Sequence, residues 1–225
     1  MANTLEIDSV IKSFAGKQVL TDIYLKCSSG DIIGLIGRNG SGKSTLFKIL
    51  FGTLAAERKF IRMNGQVMNS PYTVPDTIGY LPQHEFLPKH LSAEKVVQLF
   101  LGKPLVEVFF NDENLKKLRK SKASTLSGGE LRYMEIKLLL NSKAKFVLLD
   151  EPFNGISPLM IETIKPLITE ASQTKGILLT DHDYRNVMDV ANSYRLLFDG
   201  GIKHIKNQED LMRWGYIVSN NASED

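Results

Sequence analysis

Apolar residues recur along this chain with two different periods. Leu5, Ile7 and Val10 follow a β-like alternation, as do Val19, Ile23 and Leu25, and Gly16 separates the two sets. Such alternation puts one face of a strand on a core, so these segments read as antiparallel strands with Phe14 in the turn between them. Residues 31–36 differ: their Ile-rich run is apolar at successive positions, which suits a parallel strand buried on both faces. Residues 59–63 read as a strand that turns at Asn64-Gly65, and residues 77–81, 145–149 and 176–180 as further strands. Residues 194–198 and 202–205 flank Gly200-Gly201 and predict a closing hairpin.

The helical period fills the intervals. Residues 46–51 follow the first buried strand and stop at Gly52. Residues 92–101, with Ser92 as cap, and residues 112–120 predict two modest helices separated by Gly102-Lys103-Pro104. Lys116, Lys117, Arg119, Lys120 and Lys122 form a basic run that reads as a solvated face. Leu131, Met134 and Leu138 mark another helix, residues 159–172 one that Pro166 kinks or breaks, and residues 207–214 a short last one. The fold class is therefore α/β, with a mostly parallel core sheet, an N-terminal antiparallel β subdomain and a helical insertion subdomain. Residues 1–83 and 126–215 supply the core, residues 84–125 the insertion, and residues 216–225 a polar tail, frayed from residue 220.

Composition narrows the classes of function. At 225 residues, 43% hydrophobic and 24% charged, the chain suits one soluble domain with a subdomain. The net charge of +3 is too mild for the concentrated basic face that nucleic acid demands. Cys27 is the single cysteine, which excludes an internal disulfide and a cysteine-based metal cluster. Residues 1–5 show no basic or apolar leader, and no apolar run reaches the roughly 18 residues of a membrane span, so a cytoplasmic protein is expected.

The chemistry concentrates at residues 37–45. Gly37, Arg38, Asn39, Gly40, Ser41, Gly42, Lys43, Ser44 and Thr45 fit G-x-x-x-x-G-K-[ST], between a predicted strand and a predicted helix. A polyphosphate needs donors packed close around it. Glycines let the backbone wrap tightly and turn N–H groups inward, and the helix start adds partial positive charge. Lys43 brings a full charge, and the Ser44 hydroxyl can ligate Mg²⁺. This predicts a P-loop NTPase core sheet. Other polar groups fall at the C-terminal ends of predicted strands, where ligands bind in open α/β sheets: Gln83, the pair Asp150-Glu151, and Asp181-His182-Asp183. Ser127-Gly128-Gly129 opens a helix and offers a second anion site.

In this order and spacing, the chain resembles the nucleotide-binding subunit of ATP-binding cassette (ABC) transporters along nearly its whole length. Residues 37–44 resemble Walker A, 126–130 the family signature, and 146–151 Walker B with the adjoining glutamate. Gln83 matches the Q-loop, His182 the switch histidine, and Phe14 the adenine-stacking aromatic. The resemblance implies an ATPase in which two copies, identical or not, sandwich two ATP head to tail. Lys43 and the loop N–H groups would hold phosphates, and Ser44, Asp150 and Gln83 would serve Mg²⁺. Glu151 would act as general base, with Gln83 and His182 beside it. Ser127, Gly128 and Gly129 would reach the nucleotide on the other subunit. A separate membrane-spanning partner would dock at residues 84–125, where Phe86, Leu87 and Phe100 are groove candidates or subdomain core. The chain would then lie on the cytoplasmic face of the membrane.

Two positions depart from the family pattern. Glu130 stands where glutamine is usual, and Ser157 where the family has aspartate before proline, which bears on the rate of hydrolysis. Glu151 and His182 are both present, so hydrolysis is expected. Glu151-Pro152-Phe153 and Thr180-Asp181-His182 are similar to the lipopolysaccharide-export and branched-chain amino-acid importer ATPases. A soluble ABC ATPase of the iron–sulfur assembly type and an ATP-gated scaffold are the alternatives.

Overall fold

A computed structural model describes residues 2–217. Strands β1 (Thr4–Phe14), β2 (Lys17–Ser28), β4 (Arg58–Met63) and β5 (Gln66–Val67) form an antiparallel sheet in the order β2-β1-β4-β5. Strands β3 (Ile32–Ile36), β6 (Ile78–Leu81), β7 (Phe146–Asp150), β8 (Gly176–Thr180), β9 (Ser193–Phe198) and β10 (Gly201–Ile205) form a second sheet. Its order is β10-β9-β3-β8-β7-β6, parallel throughout except for the β9–β10 hairpin.

Every residue of β3, β7 and β8 is buried, as their unbroken apolar runs require. Successive side chains still point to opposite faces. Ile33, Leu35, Phe146, Leu148 and Leu178 join the antiparallel sheet and helix α1 (Lys43–Phe51) in one core. Ile32, Ile36, Val147, Leu149, Ile177 and Leu179 face a second core on the other side. That core includes α4 (Gly128–Asn141), α5 (Pro158–Ser172) and α6 (Tyr184–Val190).

The insertion departs from expectation. Helix α2 (Ala93–Leu101) forms, with Ser92 accepting the Lys95 N–H at 3.3 Å. The helix expected at residues 112–120 does not. Instead α3 (Val106–Phe110) buries Val106, Phe109 and Phe110, and within residues 112–120 a single 3₁₀ turn forms, at Lys116–Leu118. The Asp112 side chain accepts the Asn114 N–H at 2.8 Å and the Tyr133 hydroxyl at 2.6 Å, and it also binds Lys137. These bonds hold the backbone in a turn that competes with a helix. Arg119 also leaves the expected solvated face: it forks between Glu94 at 2.7 Å and Glu107 at 2.6 Å.

Three smaller corrections follow from packing. Phe14 is the last residue of β1, paired with Lys17, rather than a turn residue. Helix α5 runs through Pro166 unbroken: Ile164 and Ile168 bury its inner face, and Pro166 lies on the exposed one. After α7 (Gln208–Arg213), the supposed polar tail begins with packed residues. Tyr216 meets Tyr184 edge-on at 6.0 Å, and Ile217 is half-buried. Residues 220–225 lie outside the described part.

Close approach of the two sheets requires a glycine at 176. A Cβ there would stand 2.6 Å from the Phe146 ring and 2.8 Å from Cys27 Sγ. Gly176→Ala is expected to lose about 1–3 kcal/mol in urea unfolding through overpacking; an unchanged midpoint would mean that the Phe146 ring shifts freely.

Candidate functional site

The phosphate loop leaves the buried end of β3 and turns directly into α1. Two of its glycines, Gly37 and Gly42, are required sterically. A Cβ at Gly37 would lie 2.6 Å from Ser41 Oγ and 2.9 Å from the Leu197 carbonyl. Gly42, at φ 106°, caps α1 in the left-handed region without a side-chain hydrogen bond, so its first-turn N–H groups stay open to an anion. Ser41 Oγ is buried and has no hydrogen-bond partner among the described residues. A buried orphan hydroxyl is costly, and a ligand oxygen would satisfy it. Lys43 is buried too, its Nζ donating to the Gly37 carbonyl at 2.6 Å and that of Arg38 at 3.2 Å. Burial pushes the ammonium pKa down, opposed by Glu151, Asp150 and Asp181. The loop is also moored from outside, where Arg38 donates to the Gly215 carbonyl at 2.7 Å.

Beside the loop opens a cavity of about 430 Å³. Of the residues singled out in the sequence, Phe14, Asn39, Gly40, Gly42, Lys43, Ser44, Thr45, Gln83, Glu151 and His182 line it. Asp150 lies just beneath. It accepts hydrogen bonds from Ser44 Oγ and from the Tyr80 hydroxyl, both at 3.0 Å. Gln83 Nε2 donates to Glu151 Oε1 at 2.7 Å and to Ser44 Oγ at 2.9 Å. His182 Nε2 lies 2.7 Å from Glu151 Oε2, and its Nδ1 lies 3.1 Å from Asn39 Oδ1. Glu151 sits at φ 54°, a strained position for a residue with a Cβ. Asp150, Ser44 and Gln83 bring together a carboxylate, a hydroxyl and an amide, hard oxygen donors that suit Mg²⁺ alongside phosphate and water.

Ser127, Gly128 and Gly129 do not line this cavity. They open α4 elsewhere on the surface, where Ser127 forms a capping box with Glu130: its N–H and hydroxyl donate to Glu130 Oε2 at 2.8 and 2.7 Å. Ser157 caps α5 by accepting the Met160 N–H at 3.4 Å. Leu87 is buried in the insertion core, while the Phe86 and Phe100 rings meet at a 60° tilt with centroids 5.8 Å apart, with Phe100 exposed.

Sequence reasoning passed over Tyr80, Arg132 and Glu135. Arg132 donates to the carbonyls of Pro82, Asp150 and Glu151, at 2.7, 2.8 and 2.9 Å. The available signal was a charged pair spaced i,i+3 within an apolar helix, a spacing that reads as a surface contact.

Burial pushes the Asp150 carboxyl pKa up, with Glu151 adding to the rise and the bonds from Ser44 and Tyr80 opposing it. The folded chain thus binds this proton more tightly than the unfolded chain. The cost is absent below the unfolded value of about 4 and grows as pH rises through the folded one. Asp150→Asn is therefore expected to raise the melting temperature of the nucleotide-free protein at neutral pH, with the gap closing as pH falls. A lower melting temperature at neutral pH would mean that the hydrogen bonds outweigh burial.

Comparisons with known proteins agree with this arrangement. The family profile described as ABC transporter matches residues 20–154. The lipopolysaccharide export system ATP-binding protein LptB of Acidithiobacillus ferridurans is 31% identical over 225 residues, covering 94% of this chain and 93% of that protein. Its namesake in Haemophilus influenzae is 29% identical and covers 93% and 95%. A solved structure described as the ATP binding subunit of an ABC transporter superposes with a TM-score of 0.79 at 25% identity, covering 96% of this chain and 94% of the other. Among the described residues, no helix is long and apolar enough to cross a membrane. The chain belongs to the ABC transporter family, as an ATP-binding subunit that hydrolyses ATP.

Proposed function

We propose that this subunit works in pairs around two ATP molecules and drives a separate membrane-spanning partner. The observation that carries the reading is the convergence of Gln83 and His182 on the Glu151 carboxylate, each at 2.7 Å, beside the phosphate loop.

Lys43 and the loop N–H groups hold the β- and γ-phosphates, and Phe14, exposed at the cavity edge, stacks on adenine. Ser44, Asp150 and Gln83 hold Mg²⁺, which neutralises charge on the phosphate oxygens. Water attacks the γ-phosphorus in line while Glu151 takes its proton, and the bond to the β-phosphate oxygen breaks to leave ADP and phosphate. Gln83 orients the Glu151 carboxylate and the water, and His182 steadies the γ-phosphate. Ser127 and Gly129, exposed or half-exposed at the N-terminus of α4, reach the nucleotide of the second subunit. The pair then closes when the γ-phosphate is present and opens once it is gone. The lipopolysaccharide-export names of the relatives support a place on that branch, peripheral on the cytoplasmic face of a membrane.

Glu151→Gln is expected to lower turnover by at least about a hundredfold while ATP binding persists and the subunits accumulate as a nucleotide-bound dimer in light scattering. Undiminished turnover would remove Glu151 from its role. Purification from detergent-solubilised membranes is expected to recover a polytopic partner; recovery only with soluble proteins would sink the transport reading.

A further inference from the structure

Beneath the cavity lies a buried ion pair that the phosphate chemistry does not use. Arg132 and Glu135 stand one turn apart on α4, with Nη1 and Oε2 3.4 Å apart. Glu135 is 0% exposed and Arg132 7%. The guanidinium gives its shorter bonds to the backbone carbonyls of Pro82, Asp150 and Glu151. Glu135 Oε1 accepts the Phe86 N–H at 2.8 Å. Pro82 and Phe86 bracket Gln83 closely in the chain. The two segments whose side chains meet at the Gln83–Glu151 bond are therefore tied a second time, from below, by one side pair of α4.

Stability does not account for this arrangement. Desolvating two charges costs several kcal/mol, and apolar replacements of buried pairs are often neutral or better. Backbone geometry accounts for it better. Glu151 sits in the left-handed region, which persists only where its surroundings over-determine it. Its N–H donates to the Thr180 carbonyl at 2.9 Å, and its own carbonyl accepts from Arg132. A planar guanidinium reaches the carbonyls of two separate segments at once; an ammonium is a point donor.

We propose that Arg132 is a positioning residue of the hydrolytic site: it fixes the Glu151 backbone in its left-handed turn and in register with Gln83, and Glu135 orients it. This rests on the reading of Glu151 as general base. The helix that presents Ser127 to the second subunit is then the same helix that holds the base.

The test is a split between binding and turnover. Arg132→Lys keeps the charge beside Glu135 but cannot span Pro82 and the Asp150–Glu151 carbonyls. It is expected to fold with a melting temperature close to wild type, to bind a non-hydrolysable ATP analogue within about twofold of wild type, and to lose kcat by at least about tenfold without a rise in KM. Glu135→Gln, which keeps the volume and an acceptor for the Phe86 N–H, is expected to show the same split at smaller size. Wild-type kcat in either folded variant, or a parallel loss of kcat and analogue binding, overturns the proposal. Glu151→Gln measured alongside separates the two readings: full turnover there removes the base assignment, whereas a dead Glu151→Gln with an active Arg132→Lys removes only the role of Arg132.

Discussion

The cavity depends on holding charges of like sign together out of bulk water. Asp150 and Glu151 are consecutive and both buried, and the charge of Glu151 adds to the cost of ionising Asp150. They are held by groups from distant parts of the chain: Ser44 and Tyr80 on Asp150, Gln83 and His182 on Glu151, and Arg132 on both carbonyls. A scaffold that gave way by an ångström at any of these points would take one partner from a buried carboxylate or from the backbone that carries it. The two apolar cores on either side of the central sheet supply that rigidity. The strained backbone at Glu151 and the orphan hydroxyl of Ser41 are stable only within such a frame.

What could be read from the sequence was local. The phosphate loop declares itself because its glycines, lysine and serine stand at fixed spacing within eight consecutive residues, although groups that crowd Gly37 and Gly42, Leu197 and Val19, come from elsewhere in the chain. The buried strands declare themselves because a sheet covered on both faces needs apolar residues along the strand interior, with polar ones such as Asp150 and Thr180 kept to the strand ends. The helix expected at residues 112–120 failed because the partners of Asp112, Tyr133 and Lys137, come from α4. Pro166 was overrated for a related reason: the tertiary burial of Ile164 and Ile168 holds a helix that local propensity would interrupt. Arg132 and Glu135 were missed because their spacing is that of an ordinary surface pair; only the fold shows that this face of α4 turns inward onto carbonyls.

The two departures from the family pattern look different once their backbone settings are known. Ser157 keeps the helix-capping work that an aspartate also performs, so α5 starts without loss. The negative charge is gone from that cap, while the geometry of the start is kept. Glu130 completes a capping box, and a glutamine could complete one too. The carboxylate adds charge at a helix N-terminus, where the partial positive charge favours it.

The order of strands in the central sheet carries a consequence for biogenesis. Strand β3, which launches the phosphate loop, lies between β8 and β9. Its pairing partner Ile177 is synthesised roughly 145 residues after Ile32. At about 5–20 residues per second on the ribosome, that delay is on the order of ten seconds. The Arg38 mooring to Gly215 arrives later still. The nascent chain therefore carries its most recognisable motif long before that motif has walls, and nucleotide capture belongs to the finished chain rather than to the emerging one.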